Sequence, residues 1–471
     1  MGIQECLSFS AKQFANRIAF VEKDKAISYQ AFFELVKALQ SQLVGAGVLP
    51  SQVVAVKDDN SIAFAASLYA VMGIGAVALP VYHLAGSEEW LEMLDKANVH
   101  WVFGNSRWLS DSKPSLSEFD VLGKTYKLFK NKIVLPNWKG IENPAFIRFT
   151  SGTTGFSKGV LLSEESIWGR IDSANVVLQL SEEDTVLWVL PMAFHFVVSI
   201  MLYLKFGCKV VLCNSPFPAE IAQQMREEKA SFFYGSPLHI KMLSQSKLEL
   251  PVSLKWVIST SSGVQKHVCE SFYQTYGIPV AQAYGIIEFG LPLIHSHTDP
   301  TQMDSVGFVT PGYEVEILDE NFQKLSAGKE GKLAIRGNGR FEAYLLPWKP
   351  SEAILTHGWF FTGDIALKDE KGRFFIKGRE KSMVNLSGLK VFPEEVEEVI
   401  SRLKGVKACK VFGELDSKGE EELWAEIVLQ EELTEEKIKL FCRESLALYK
   451  IPKHIKVVPE IGETLSGKIK R

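Results

Sequence analysis

The sequence predicts an α/β fold: a large multi-layer N-terminal domain with mixed sheets, followed by a small α+β C-terminal domain. Three observations predict it. Helical and strand patterns alternate up to about residue 380, the arrangement that builds layered sheets with substantial parallel pairing. From Gly331 the rhythm changes to short strands separated by turns. A chain of 471 residues also exceeds what one hydrophobic core holds, so two or three domains are expected.

The elements follow in order. Ile27-Ser28-Tyr29 leads into a helical stretch from Gln30 to Leu43, and Val53-Val54-Ala55-Val56 has the unbroken apolar character of a buried strand. Ile62 to Tyr82 is almost wholly apolar and about as long as a membrane span. Gly73, Gly75 and Pro80 interrupt it, so it is expected to be a buried helix, a glycine stop and a short buried strand. The same reasoning covers Val197 to Cys213, broken by Lys205 and Gly207, and no transmembrane segment is expected. Further strands are expected at Asp184–Leu190, Lys209–Cys213 and Lys255–Ser259, then at Lys332–Ile335, Gly358–Phe361 and Arg373–Ile376. A helix should open at Pro393, where proline and then Glu394 and Glu395 suit a helix N-terminus. The domain boundary is placed near Lys381, dividing the chain into 1–380 and 381–471, the second within the usual size of a domain.

Composition narrows the function classes. Apolar residues at 46% and charged residues at 23% are ordinary for a globular protein, and a formal net charge of −4 provides no basic field for nucleic acid. Cysteines at 6, 208, 213, 269, 409 and 442 form no C-x-x-C pair or metal-ligand spacing. They are expected to be free thiols of a reducing, cytoplasmic compartment. The N-terminus only half-fits a myristoylation signal, because position 6 is Cys rather than Ser or Thr.

The chemistry concentrates in a few runs. The first is Phe149-Thr150-Ser151-Gly152-Thr153-Thr154-Gly155-Phe156-Ser157-Lys158-Gly159. Glycines let a backbone approach an anion closely, successive N–H groups and hydroxyls can surround phosphate oxygens, and a lysine adds a point charge. A Ser/Thr/Gly loop alone marks a mobile surface turn; the lysine and the apolar approach Ala145-Phe146-Ile147 point to phosphate. It is not a Walker loop, in which a hydroxyl follows the lysine to hold magnesium, because Gly159 follows Lys158.

The order of these residues resembles the nucleotide loop of the acyl-adenylate-forming superfamily, which includes acyl- and aryl-CoA synthetases, luciferases and peptide-synthetase adenylation domains. Three later clusters match in sequence order. Ala283-Tyr284-Gly285-Ile286-Ile287-Glu288 resembles the segment that stacks an aromatic ring on adenine and gives a glutamate to magnesium. Thr362-Gly363-Asp364 with Lys377-Gly378-Arg379 resembles the pair that holds the ribose hydroxyls and the neighbouring phosphate. Leu465-Ser466-Gly467-Lys468-Ile469 resembles the family's mobile catalytic lysine, which neutralises charge on the α-phosphate. Ser262 and Gly263, in Ser259-Thr260-Ser261-Ser262-Gly263, are expected at the adenine rim, with Phe233-Tyr234-Gly235 in the pocket wall.

The resemblance spans nearly the whole chain, with four departures. Ser157 stands where the family usually has proline, Ile287 where it has threonine, Val198 where a glycine follows the gate residue, and Lys381 where many relatives have a hinge aspartate. Pro191-Met192-Ala193-Phe194-His195-Phe196 carries no carboxylate to hold an amino-acid ammonium, so His195 is expected to line the carboxylate end of an acyl or aryl acid pocket. The resemblance implies ATP, Mg2+ and coenzyme A as cofactors, with Glu288 as the metal ligand. It implies activation of a carboxylic acid to an acyl-AMP, then transfer to a thiol. Gly388 matches the glycine that keeps a pantetheine tunnel open, which favours coenzyme A; a carrier-protein phosphopantetheine would use the same tunnel. With two substituted motif positions, a nucleotide-binding relative without turnover is the remaining class.

Overall fold

Two nine-stranded sheets carry the N-terminal part of the chain in the computed structural model. It describes residues 2–109, 115–132, 137–149, 158–260, 263–295, 300–386, 389–416, 421–462 and 469.

In the first sheet the strands Ile18–Glu22, Lys209–Leu212, Thr185–Trp188, Phe232–Gly235, Trp256–Ser259 and Val280–Ile286 run parallel. Antiparallel strands close both edges, Lys25–Ser28 on one side and Gly290–Ile294 followed by Phe308–Val309 on the other. The second sheet has a parallel centre of Pro144–Phe149, Val77–Tyr82, Val53–Asp58 and Trp101–Asn105, again with antiparallel edges. The expected mixed sheets are present. Within the strands, apolar runs such as Val53-Val54-Ala55-Val56 are buried on both faces, as parallel strands under helices must be.

Inward faces of both sheets meet the helices Tyr29–Gly45, Ile62–Gly73 and Glu164–Leu178 in one apolar cluster. Separate clusters cover the outer faces, one under Pro218–Glu227, Pro237–Ser246 and Lys266–Tyr276, the other under Ser87–Lys96. Five layers result, helix on sheet on helix on sheet on helix.

The long apolar run resolves as expected. Residues Ile62–Gly73 form a helix whose side chains from Ile62 to Met72 are all buried, and Val77–Tyr82 is a central strand. A helix apolar on every side belongs inside a large core. Its start is fixed by Ser61, whose Oγ accepts from the Phe64 N–H at 3.0 Å and donates to Asp58 at 2.9 Å. No helix among the described residues is long and apolar enough to cross a membrane. All six cysteines are buried free thiols, and burial pushes Cys6 and Cys442 up to about 11.

Beyond residue 312 the strands Tyr313–Leu318, Gly331–Gly337, Phe360–Lys368 and Phe374–Arg379 form an antiparallel four-stranded sheet. The strand expected at Gly358–Phe361 starts later and runs further, because Gly363 at φ +77° lets the chain bend and continue pairing past Thr362. A 3₁₀ turn, Glu380–Ser382, follows. Then come the hairpin Val384–Leu386 with Leu389–Val391, the helix Pro393–Ser401, and a three-stranded sheet of Val406–Leu415, Glu421–Leu429 and His454–Val457. These elements share an apolar core of their own, including Val396, Ile400, Val411 and Leu423.

Candidate active site

Parallel strands of both sheets end on the side where the candidate residues gather, the usual place for a ligand in such sheets. Two clusters form there, joined by the hairpin of Val280–Ile286 and Gly290–Ile294.

The first cluster contains Tyr284, Asp364 and Arg379. Asp364 and Arg379 are register partners on adjacent antiparallel strands. Arg379 Nε lies 2.9 Å from Asp364 Oδ1, and its Nη1 donates to the Thr362 carbonyl at 3.1 Å. The Tyr284 hydroxyl donates to Asp364 Oδ2. Burial, then the adjacent carboxylate, push the Tyr284 phenol well above its ordinary range, so it stays a donor. Asp364 is 4% exposed, whereas the Arg379 side chain is 53% exposed. Each carboxylate oxygen retains a second lone pair, enough to accept from ligand hydroxyls. Ala283 is buried beside Tyr284, and Gly285 is exposed.

The second cluster contains Lys158, Tyr344 and Glu288. Lys158 is the first described residue after the phosphate loop, and its Nζ lies 4.7 Å from the centre of the Tyr344 ring. The Tyr344 hydroxyl donates to Glu288 Oε1 at 2.7 Å. Burial and the neighbouring Glu288 carboxylate push the Tyr344 phenol up. A Cβ on Gly159 would sit 2.8 Å from Leu345 Cδ1, beside the antiparallel strand carrying Tyr344, so the Leu345 side chain would have to shift.

Glu288 lies in the turn between the two hairpin strands, and Arg170 fixes that turn. From the buried face of the helix Glu164–Leu178, Arg170 donates Nη1 to the Ile287 carbonyl at 2.6 Å, Nη2 to the Glu288 carbonyl at 3.0 Å, and Nε to the Gly339 carbonyl at 2.6 Å. Burial holds its pKa down to about 10, still well above neutral. Ile287 packs its side chain against the main core, so the turn keeps its backbone anchors without the hydroxyl that the resemblance leads one to expect.

His195 ends the short helix Met192–His195 and is half-buried. Its ring lies edge-on to Trp188 at 6.0 Å and to Tyr234 at 6.2 Å, and its carbonyl accepts from Ser199 Oγ. Gly263 is exposed between the strand Trp256–Ser259 and the helix Lys266–Tyr276. Thr150, Ser151, Gly152, Thr153, Thr154, Gly155, Ser262, Gly388 and Lys468 lie outside the described residues.

Tyr344 and Arg170 lie outside every sequence motif. Tyr344 sits in a two-residue strand 184 positions after Val160, its register partner, and nothing near it in sequence marks it. Arg170 gives a signal only as a cation on an otherwise apolar helix face.

Among the described residues no group of three or more His, Cys, Asp or Glu side chains could hold a metal ion. A single carboxylate, Glu288, is the donor set that suits magnesium carried in with nucleotide phosphates and water, rather than a protein-caged ion. Asp364 with Arg379 fits a ribose bearing a phosphate, and Tyr284 offers a flat ring beside them.

Comparison with known proteins agrees across the chain. The profile of the AMP-binding enzyme family matches residues 7–345, and that of the AMP-binding enzyme C-terminal domain matches residues 395–468. A 2-succinylbenzoate–CoA ligase of Listeria monocytogenes is 28% identical over 458 residues, covering 96% of this chain and 95% of that protein. An oxalate–CoA ligase of Arabidopsis thaliana is 27% identical over 494 residues, covering 98% and 95%. A long-chain-fatty-acid–CoA ligase of Escherichia coli O157:H7 is 25% identical over 522 residues, covering 98% and 92%. Among solved structures, the O-succinylbenzoate coenzyme A synthetase MenE of Bacillus subtilis, in complex with AMP, superposes with a TM-score of 0.88 at 20% identity, covering 99% of this chain and 97% of that one. ATP-bound MatB of Rhodopseudomonas palustris superposes with a TM-score of 0.86 at 21% identity, covering 100% and 97%.

Proposed function

The chain belongs to the AMP-binding enzyme family, and we propose that it is an AMP-forming acid–thiol ligase of the acyl-CoA synthetase type. It activates a carboxylic acid with ATP and passes the acyl group to coenzyme A. The observation that carries this reading is the joining of Tyr284, Asp364 and Arg379 with Glu288, Tyr344 and Lys158 through one hairpin. In this reading the first cluster is the nucleotide handle and the second the polyphosphate handle. The curated relatives cited above are all CoA ligases, which supports coenzyme A over a carrier protein as acceptor. A carrier-protein phosphopantetheine presents the same thiol and is the second acceptor to test.

A free carboxylate is a poor acyl donor because its leaving group is bad. In the first half-reaction a carboxylate oxygen attacks the α-phosphorus and pyrophosphate departs. In the second the thiol attacks the acyl carbon and AMP departs. In this reading Asp364 accepts the ribose hydroxyls, Arg379 pairs with the ribose or phosphate, and Tyr284 stacks on adenine beside Ala283, Gly285 and Gly263. Lys158 and the loop Thr150–Gly155 hold the phosphates, and Lys468 neutralises the charge that develops on the α-phosphate. Glu288 would hold magnesium, which when bound would supply charge neutralisation on the leaving phosphates. His195 lines the carboxylate end of the acid pocket, and Gly388 the pantetheine tunnel. The catalytic lid is residues 381–471, pivoting near Lys381 on a body of residues 1–380, in a cytoplasmic enzyme.

The test is product identity. Incubation with ATP, magnesium and a panel of carboxylic acids should release pyrophosphate and AMP, with thioester forming only when a thiol acceptor is added. ADP and phosphate as products would end the adenylation reading. Nucleotide binding without any product would leave the non-catalytic alternative.

A further inference from the structure

Asn60 lies half-buried in the loop that links the strand Val53–Asp58 to the helix Ile62–Gly73, at the ligand end of the second sheet. Its side chain reaches across to a segment that leaves the first sheet. Oδ1 accepts from the Met192 N–H at 2.8 Å, and Nδ2 donates to the Leu190 carbonyl at 2.8 Å. A primary amide holds an acceptor and a donor side by side, so one asparagine binds both backbone groups that flank Pro191. The Asn60 carbonyl accepts in turn from Asn214 Nδ2 at 2.9 Å, just past the strand Lys209–Leu212.

The segment needs such an anchor. The strand Thr185–Trp188 has ended, and the helix Met192–His195 is four residues long, too short to hold its shape by its own hydrogen bonds. Pro191 at its N-cap provides no side-chain cap, and the Met192 N–H, an orphan of the first turn, goes to Asn60 instead. Past the clamp come Phe194, whose ring centre lies 5.5 Å from that of Tyr82, and His195, whose ring meets Trp188 and Tyr234. The loop that carries Asn60 is itself firmly held. Asp58 accepts from Asn105 at 3.1 Å, from Ser61 at 2.9 Å and from Tyr126, and Glu22 accepts from the Ile62 N–H at 2.8 Å. Asn60 thus ties a well-anchored loop to a segment with little support of its own.

We propose that Asn60 is a positioning residue for the acid, a role that rests on the adenylation reading and on the place of His195 in it. By clamping Leu190 and Met192 it sets where Phe194 and His195 meet the attacking carboxylate. A reaction that depends on close alignment loses about 10²-fold in rate for a displacement of about 1 Å. The nucleotide contacts of Asp364, Arg379 and Tyr284 stand on other elements, and the clamp does not touch them.

The test uses three variants of the full chain. Asn60→Asp keeps the size and the acceptor and removes the donor to Leu190, Asn60→Ala removes both bonds, and Asn214→Ala loosens the loop on its far side but leaves the clamp. Acetate, hexanoate, palmitate, benzoate and malonate are assayed by pyrophosphate release, and calorimetry follows binding of the best acid and of AMP. Both Asn60 variants should lower kcat/KM for that acid by about 10–10²-fold, with AMP affinity retained, and Asn214→Ala should stay close to wild type. An unchanged kcat/KM in Asn60→Ala overturns the assignment, as does an equal loss of AMP affinity, which general loosening of the fold would produce. Hydrogen exchange on the wild type needs no variant to fold: the Met192 amide should be protected without ligand, and free exchange there overturns the clamp. Pyrophosphate release that ignores Asn60 keeps adenylation and overturns the clamp. Acid binding that Asn60→Ala weakens, with no pyrophosphate from the wild type, keeps the clamp and overturns adenylation.

Discussion

Asp364 joins three separate demands in one carboxylate: the ion pair with Arg379, the bond from Tyr284, and in the proposed function the ribose hydroxyls. Both oxygens are already engaged before any ligand arrives, so the site is organised in advance, and the negative charge does the organising. Asp364→Asn keeps the shape and removes that charge. Hydrogen bonds to charged groups are worth about 1.5–3 kcal/mol each, so KM for ATP should rise by one to two orders of magnitude in initial-rate measurements, with little change in KM for the acid. An unchanged ATP KM would remove Asp364 from the nucleotide site. Lys468 makes a complementary case, since its proposed role rests on the Ser466-Gly467-Lys468-Ile469 order alone. Loss of one charge contact made in the transition state typically lowers rate by about 10²–10³. Lys468→Ala should lower single-turnover adenylate formation by that amount while nucleotide binding persists; a rate near wild type would show that the catalytic lysine is elsewhere.

At the scale of elements, the turn carrying Glu288 shows why part of the site was hidden in the sequence. The motif around Tyr284 and Glu288 was legible because its members are neighbours in the chain. What holds that motif in place comes from far away: Arg170 on a helix 118 residues earlier in the chain than Glu288, and Tyr344 on a two-residue strand 56 residues later. Register between distant strands leaves no local trace, and a buried arginine in an amphipathic helix gives the same pattern as a solvated one. The layered α/β body, by contrast, was legible from apolar runs such as Val53–Val56 and Ile62–Tyr82, because burial on both faces demands unbroken hydrophobicity. Element ends were less so: the strand expected to end at Phe361 continues through Thr362-Gly363-Asp364, since tertiary pairing with Arg379 overrides local preference. The Arg170 anchor has its own test. Arg170→Met leaves the Ile287 and Gly339 carbonyls without the donor each has now, at about 1–3 kcal/mol for each. Chemical denaturation should show that loss, and KM for MgATP should rise as the turn loosens. Arg170→Lys, which cannot reproduce the planar fork, should restore stability only in part. A fully stable variant would mean the turn is held by other contacts.

On the scale of the whole molecule, the two halves of the proposed reaction place different demands on one active site, because adenylate formation and thiol attack approach the acyl group from different directions. A small lid that turns on a body can meet both demands. The connection after Arg379 has the character such a pivot needs. It is a single 3₁₀ turn, Glu380–Ser382, with Lys381 exposed, between an antiparallel sheet and a unit with its own apolar core. Among the described residues, Lys332 reaches Glu380 at 3.0 Å, and the Ser382 hydroxyl donates to the Arg379 carbonyl at 3.1 Å. The neighbouring pairs that link the turn to the lid helix are partly exposed and individually weak, such as Ser382 with Glu394 at 3.4 Å. Rotation about the turn has to release the close packing of Phe392 and Glu394 on Gly378, and the backbone of the turn is where a substitution can act without removing those contacts. Lys381→Pro restricts φ to near −65° and disfavours the helical region for Glu380, so it should hinder rotation without touching either ligand cluster. Rapid-quench single-turnover experiments on each half-reaction should then show adenylate formation within a few-fold of wild type and thioester formation lowered much more, with the melting profile retained. Equal losses in both would indicate general destabilisation. No loss in either would move the pivot away from Lys381, and would leave Arg379 on one side of a rigid joint rather than beside a moving one.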